Sequence, residues 1–174
     1  MARKDYSEDL LIQAPTAELL EQQLGWQTVF AQDDEDFGPD SLLGRNNDTE
    51  VVLAREVLAS LQRLNPGLPD EAYSQALAQV LQDDITKTLI ALNEEKYKLL
   101  RDGVPVKFRD ATERLTDKRL RLIDFDCPDN NRYLVVRELW VRGRLWLRRP
   151  DVIGYVNGLP LVFIELKAVY KNIR

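Results

Sequence analysis

Apolar residues recur at helical spacing up to Gly103, and beyond it they gather into short runs rich in Val, Ile, Leu, Tyr and Trp. Thr16 is placed to cap a helix through Leu19, Leu20 and Leu24, with Gly25 to end it. Asp48 is placed to cap a second, in which Val51, Val52, Leu53, Val57, Leu58, Leu61 and Leu64 keep one side before Asn65-Pro66-Gly67 stops it. Pro69-Asp70 opens a third, carrying Ala72, Ala76, Leu77, Val80 and Leu81. Asp84 caps a fourth, running through Ile85, Leu89, Ile90, Tyr97 and Leu100 to Gly103. These stripes read as core packing. The segment 30–47, with Asp33, Asp34, Glu35, Asp36 and Asp40 among Gly and Pro, reads as a solvated surface loop.

After Gly103 the runs 104–108, 120–125, 133–141, 145–156 and 161–169 read as strands. Asn157-Gly158 is a strong hairpin signal between the last two. N-terminal helices followed by a mostly antiparallel mixed sheet give an α+β or mixed α/β fold. Its 174 residues are expected to form one domain, with a helical part about 1–103 and a sheet part about 104–174.

Composition then narrows the chemistry. The chain has no histidine and one cysteine, Cys127. That excludes His-based catalytic triads, His zinc sites, cysteine zinc clusters and an intrachain disulfide. Acid–base work falls to Asp, Glu, Lys or Tyr, and a metal would need oxygen ligands, which favours Mg²⁺, Mn²⁺ or Ca²⁺. No apolar run approaches the roughly 18 residues of a membrane span, and none follows the charged start as in a signal peptide. A cytoplasmic location without membrane contact is expected. The net charge of −5 is an average: residues 132–174 hold nine basic and three acidic side chains, leaving −11 for residues 1–131. The basic part is either an ordinary solvated sheet face or a patch for a phosphate backbone, with Arg137, Arg142, Arg144, Arg148 and Arg149 as candidates.

The sharpest cluster lies on the hairpin around Asn157-Gly158. A two-residue loop sets Asp151 across from Ile164, a three-residue loop across from Glu165, and a four-residue loop across from Leu166. In each case Asp151 and Glu165 fall roughly 5–8 Å apart at Cα. Glu165 and Lys167, two apart on one strand, point to the same face. Val162, Phe163, Ile164 and Leu166 read as a strand buried on both faces, where unpaired charge is costly. One explanation is a hard divalent cation held by Asp151, Glu165 and a backbone carbonyl, that of Leu166. Lys167 would then orient or deprotonate a water attacking phosphorus. The other is a structural ion pair between Lys167 and either acid. Pro-Asp alone carries no information, since it recurs at Pro39, Pro69 and Pro128. Glu94-x-Lys96 lies in a helical stretch, where residues two apart cannot share a site.

The segment Arg149-Pro150-Asp151 … Tyr155-Val156-Asn157-Gly158-Leu159-Pro160-Leu161 … Glu165-Leu166-Lys167 resembles the nuclease motif of the restriction (R, motor) subunit of type I restriction–modification enzymes, a version of the PD-(D/E)xK signature. Leu64-Asn65-Pro66, Leu100 … Gly103-Val104 and Ile123-Asp124-Phe125 … Pro128 … Asn131 … Leu134-Val135-Val136 resemble that family's N-terminal domain in order and spacing. The resemblance spans most of residues 48–168. It implies a restriction-endonuclease-like core in which Asp151 and Glu165 bind Mg²⁺, or Mn²⁺ in its place, and Lys167 is the catalytic lysine. It also implies double-stranded DNA, methyltransferase and specificity subunits as partners, and an ATP-driven motor on the same polypeptide. No G-x-x-x-x-G-K-[ST] loop is present, so ATP would act only through motor domains outside these residues. In the family a further helix with Gln and Tyr follows the E-x-K strand, so the chain is expected to be a fragment. An upstream helical acid often joins such sites, with Glu18, Glu21 and Glu50 as candidates. Another PD-(D/E)xK repair or recombination nuclease, or a non-catalytic docking module on the same fold, are the alternatives.

Overall fold

The computed structural model describes residues 13–31, 36–84, 86–110, 112–143 and 145–166. In chain order the elements are α1 (Ala14–Leu24), β1 (Gln27–Phe30), α2 (Ala54–Leu64), α3 (Asp70–Leu81), α4 (Leu89–Asp102), β2 (Val104–Arg109), β3 (Leu115–Leu120), β4 (Tyr133–Arg137), β5 (Val141–Arg142), β6 (Leu147–Arg148), β7 (Val152–Val156) and β8 (Leu159–Ile164). The class is α+β, as expected. None of the described helices is long and apolar enough to cross a membrane.

The chain divides into two compact units, Met1–Val51 with Arg132–Arg174, and Val52–Asn131. The first holds a four-stranded sheet in the order β1-β4-β7-β8. β1 runs parallel to β4, and β7 is antiparallel to both β4 and β8. Helix α1 lies on one face of it. Ala17 and Leu20 pack against Val135, Val152, Ile164 and Leu166, which brings the start of α1 to the start of β7. Gly25 ends α1 in the left-handed conformation, its N–H donating to the Glu21 carbonyl at 2.9 Å.

The loop between β1 and α2 differs from its expectation. Rather than being wholly solvated, it closes around Arg45, only 1% exposed, which donates to the carbonyls of Glu50 (3.1 Å) and Trp140 (3.0 Å). Residues 32–35 lie outside the described residues. Asp48 does not cap a helix but holds Arg142, Nε and Nη2 each 2.9 Å from Oδ2. Helix α2 therefore starts only after Leu53.

The second unit packs α2, α3 and α4 with the hairpin β2–β3, in which Val104, Val106 and Phe108 alternate inward. Helix α4 starts at Thr88, not Asp84, and none of its residues is buried; Leu89 and Ile90 are exposed, so that apolar stripe is not core. Lys96 uses its ammonium to close the end of α3, donating to the carbonyls of Gln79, Val80 and Gln82 at 3.1, 2.7 and 2.6 Å. The expected strand over 120–125 is instead a loop, because side chains take over its backbone. Asn65 bonds both the N–H and the carbonyl of Arg121, and Asn131 accepts from the N–H of Asp124. Leu122 and Ile123 are still buried.

Candidate active site

β7 is the strand that is buried on both faces, with Val152, Ile153, Gly154 and Tyr155 all inside the fold. Pro150 and Asp151 precede it, a position where proline's missing N–H breaks no sheet bond. At the other end Asn157 (φ 52°) and Gly158 (φ 82°) form the two-residue turn, both with the positive φ that such hairpins require. A regular ladder from that turn would place Asp151 opposite Ile164. It does not, because the register shifts between Gly154 and Tyr155. Tyr155 faces Pro160 while Gly154 faces Val162, which leaves Leu161 as the extra residue of a bulge. Below the bulge Val152 faces Ile164, so the next residues outward on the two strands are Asp151 and Glu165.

Gly154 also has a packing reason. A Cβ there would lie 2.9 Å from Cζ3 of Trp26 and 3.0 Å from Cβ of Val162. Trp26 in turn meets Tyr133 with ring centroids 5.2 Å apart. In contrast to the expected doubly buried strand, β8 lies at the edge of the sheet among the described residues, and Leu161, Val162 and Phe163 are exposed. Its single hydrogen-bonded neighbour among the described residues is β7.

Three hydrogen bonds fix Asp151. Its carbonyl accepts from the N–H of Glu138 at 3.1 Å. Oδ2 accepts from the N–H of Leu166 at 2.6 Å, and Oδ1 accepts from Nε2 of Gln13 at 2.9 Å. Gln13 is the residue before α1, and it is 4% exposed. Its other amide atom, Oε1, is buried with no hydrogen-bond partner among the described residues. Glu165 is exposed at the end of β8. Each Asp151 oxygen makes one of these bonds, and a carboxylate oxygen has room for a second interaction. The group is thus an all-oxygen donor set: two carboxylates and a buried, unsatisfied amide carbonyl. It fits a hard divalent cation and would suit a soft metal poorly.

The sequence profile of the family described as "Type I restriction enzyme R protein N terminus" matches residues 5–174. The chain belongs to this family. It is 37% identical over 147 residues to the type I restriction enzyme HindI endonuclease subunit of Haemophilus influenzae, a match covering 84% of this chain and 14% of that protein. It is 26% identical over 133 residues to a putative type I restriction enzyme MjaIXP endonuclease subunit of Methanocaldococcus jannaschii, covering 74% and 12%. This member of the R-protein N-terminal family thus spans about a seventh of the length of the first relative.

Of the residues expected at the site, Asp151, Glu165 and Leu166 come together at the mouth of the hairpin, while Lys167 lies outside the described residues. Leu166 reaches Asp151 through its N–H. None of the three candidate upstream acids takes the place beside Asp151. Glu18 and Glu21 are exposed on α1, and the Glu50 carboxylate accepts from the backbone and side chain of Asn46 at 3.0 and 2.9 Å. Gln13 stands there instead. An amide carries no charge to mark it in the sequence; its one signal is its place just before Ala14-Pro15, since proline favours the first turn of a helix, and α1 does start there rather than at the expected Thr16.

Each of the four described candidate arginines has a side-chain partner. Arg142 is ion-paired to Asp48, which raises its pKa further above the ordinary arginine value through that hydrogen bond and the opposite charge. Arg149 lies 3.7 Å from Glu138 and 5.1 Å over the Trp140 ring. Arg137 stacks on Phe30 at 4.4 Å, and Arg148 on Trp146 at 5.8 Å. Arg144 lies outside the described residues.

Proposed function

We propose that this chain is the DNA-cleaving domain of a type I restriction enzyme R subunit, hydrolysing phosphodiester bonds with Mg²⁺, or Mn²⁺ in its place. The observation that carries this reading is the Asp151 carboxylate, fixed on both oxygens at the start of the buried strand β7 and set opposite Glu165. Family membership supports it, as do the names of both relatives, which are endonuclease subunits.

Asp151, Glu165 and the Leu166 carbonyl would hold the ion, whose contribution is to polarise a phosphate oxygen and acidify a water. The protein's own part is to hold those oxygens in place. Gln13 and the Leu166 N–H keep the Asp151 carboxylate from rotating, so little reorganisation is left for the reaction itself. Lys167, two residues after Glu165, is the motif lysine and the proposed proton-handling and charge-offsetting group.

Arg137, Arg142, Arg144, Arg148 and Arg149 are the proposed contacts to double-stranded DNA. Arg148 and Arg149, which lead directly into Asp151, are the best placed in the chain. Arg142 must exchange Asp48 for a phosphate, so its contribution is smaller than that of a solvated arginine. Methyltransferase and specificity subunits are the proposed protein partners, and ATP acts only through motor domains of the longer polypeptide. The test is plasmid cleavage by the assembled enzyme. Asp151→Ala in the full-length subunit abolishes cleavage and spares assembly and ATP hydrolysis; normal cleavage by that variant overturns the assignment.

A further inference from the structure

Gln13 presents a problem that the two carboxylates do not explain. A carboxylate at ordinary pH has no hydrogen to give, so the amide atom facing Asp151 Oδ1 at 2.9 Å must be the NH₂ group. The orientation of the amide is therefore fixed by chemistry, and Oε1 is necessarily the atom that is buried without a partner. Burying a carbonyl with nothing to accept from is costly, and such groups are rare in folded proteins. Here the carbonyl belongs to the same planar amide that touches Asp151, so it lies beside that carboxylate. The side chain is 4% exposed and sits where α1 begins, on the helix that packs against Val135 and Val152.

We infer that Gln13 is a positioning residue with two tasks: its NH₂ group orients Asp151, and its Oε1 serves as a neutral oxygen for the hydrated divalent cation at that carboxylate. This rests on the metal-dependent reading above. An amide in this place gives the oxygen of a third ligand without a third negative charge. Asp151 and Glu165 then face the DNA backbone carrying two charges rather than three, which favours one hard cation and limits repulsion of phosphate.

Mn²⁺ binding to the full chain, followed by electron paramagnetic resonance and by calorimetry, tests this without reference to cleavage. Gln13→Met keeps the volume and removes both polar atoms. It is expected to weaken Mn²⁺ binding about tenfold or more, the loss typical when a group supporting a metal ligand is removed. Gln13→Glu keeps an oxygen but gives up the NH₂ donor to Asp151, so it is expected to bind Mn²⁺ more tightly than Gln13→Met. Circular dichroism melts identify a variant that fails to fold, and Gln13→Leu then replaces Gln13→Met as the variant without polar atoms. Equal Mn²⁺ affinity in the parent and the variant without polar atoms, or a folded Gln13→Glu variant that binds no more tightly than that variant, overturns the role of Gln13 alone. A parent chain that binds no Mn²⁺ overturns the metal-dependent reading itself, and the role of Gln13 with it.

Discussion

The backbone N–H of Leu166 donates to Oδ2 of Asp151 at 2.6 Å, so the residue after Glu165 is tied to the carboxylate that Glu165 faces across the hairpin. With Gln13 on Oδ1, Asp151 is surrounded by donors on both oxygens.

Asp151→Asn is therefore not a silent isostere. If the new oxygen keeps the Leu166 N–H, the new NH₂ group faces Gln13, whose amide must turn over to present Oε1 and so leaves its own NH₂ group buried without an acceptor. Two charge-assisted hydrogen bonds become neutral ones as well, for a total cost of about 1–3 kcal/mol. Relief of repulsion with Glu165 offsets little of this, since Glu165 is exposed. Urea unfolding should show a lower midpoint for Asp151→Asn. Unchanged or higher stability would mean that these two donors do not hold the carboxylate.

Gly154→Ala tests the packing that sets the register. The added methyl meets the Trp26 ring at 2.9 Å and Val162 Cβ at 3.0 Å, beside the bulge that brings Asp151 opposite Glu165. Overpacking of this kind costs about 1–3 kcal/mol. The expected result is a lower melting temperature with a shift in Trp26 fluorescence, part of the loss being recovered when Trp26→Leu makes room.

Asp124 gives a pH signature in the other unit. Its carboxyl is held below the ordinary carboxylate value of 3.8, first by the Asn130 amide and then by the Cys127 N–H, with Arg121 nearby. A carboxyl whose pKa is lowered by folding stabilises the fold at pH values above its unfolded value. That contribution is lost as pH falls through the folded value. The stability difference between the parent and Asp124→Asn should be constant near neutral pH and shrink below about pH 4. A difference that grows on acidification would contradict the assignment.

What the sequence made legible was largely local. Gly25, Asn65-Pro66-Gly67, Pro69-Asp70 and Gly103 mark real helix ends because caps and breakers act within a turn of themselves. Asn157-Gly158 marks the real hairpin for the same reason. Long-range pairing was not legible. β1 is four residues of mixed polarity whose strand character comes from lying parallel to β4, more than a hundred residues on. β3 reads Leu-Thr-Asp-Lys-Arg-Leu, polar enough to pass as loop, whereas the apolar run after it is loop held by Asn65 and Asn131. At the site, the opposition of Asp151 and Glu165 was one of three open registers. The bulge at Leu161, which no local pattern announces, selects it. Gln13 was hidden because hydrogen-bond partners are set by tertiary packing, not by residue charge.

The metal site at the hairpin mouth is tested most directly by soaking crystals of the full-length subunit in Mn²⁺ and recording anomalous diffraction. The expected result is one strong peak in contact with the carboxylates of Asp151 and Glu165. Full Mn²⁺ occupancy elsewhere, with no peak between these two residues, would contradict it.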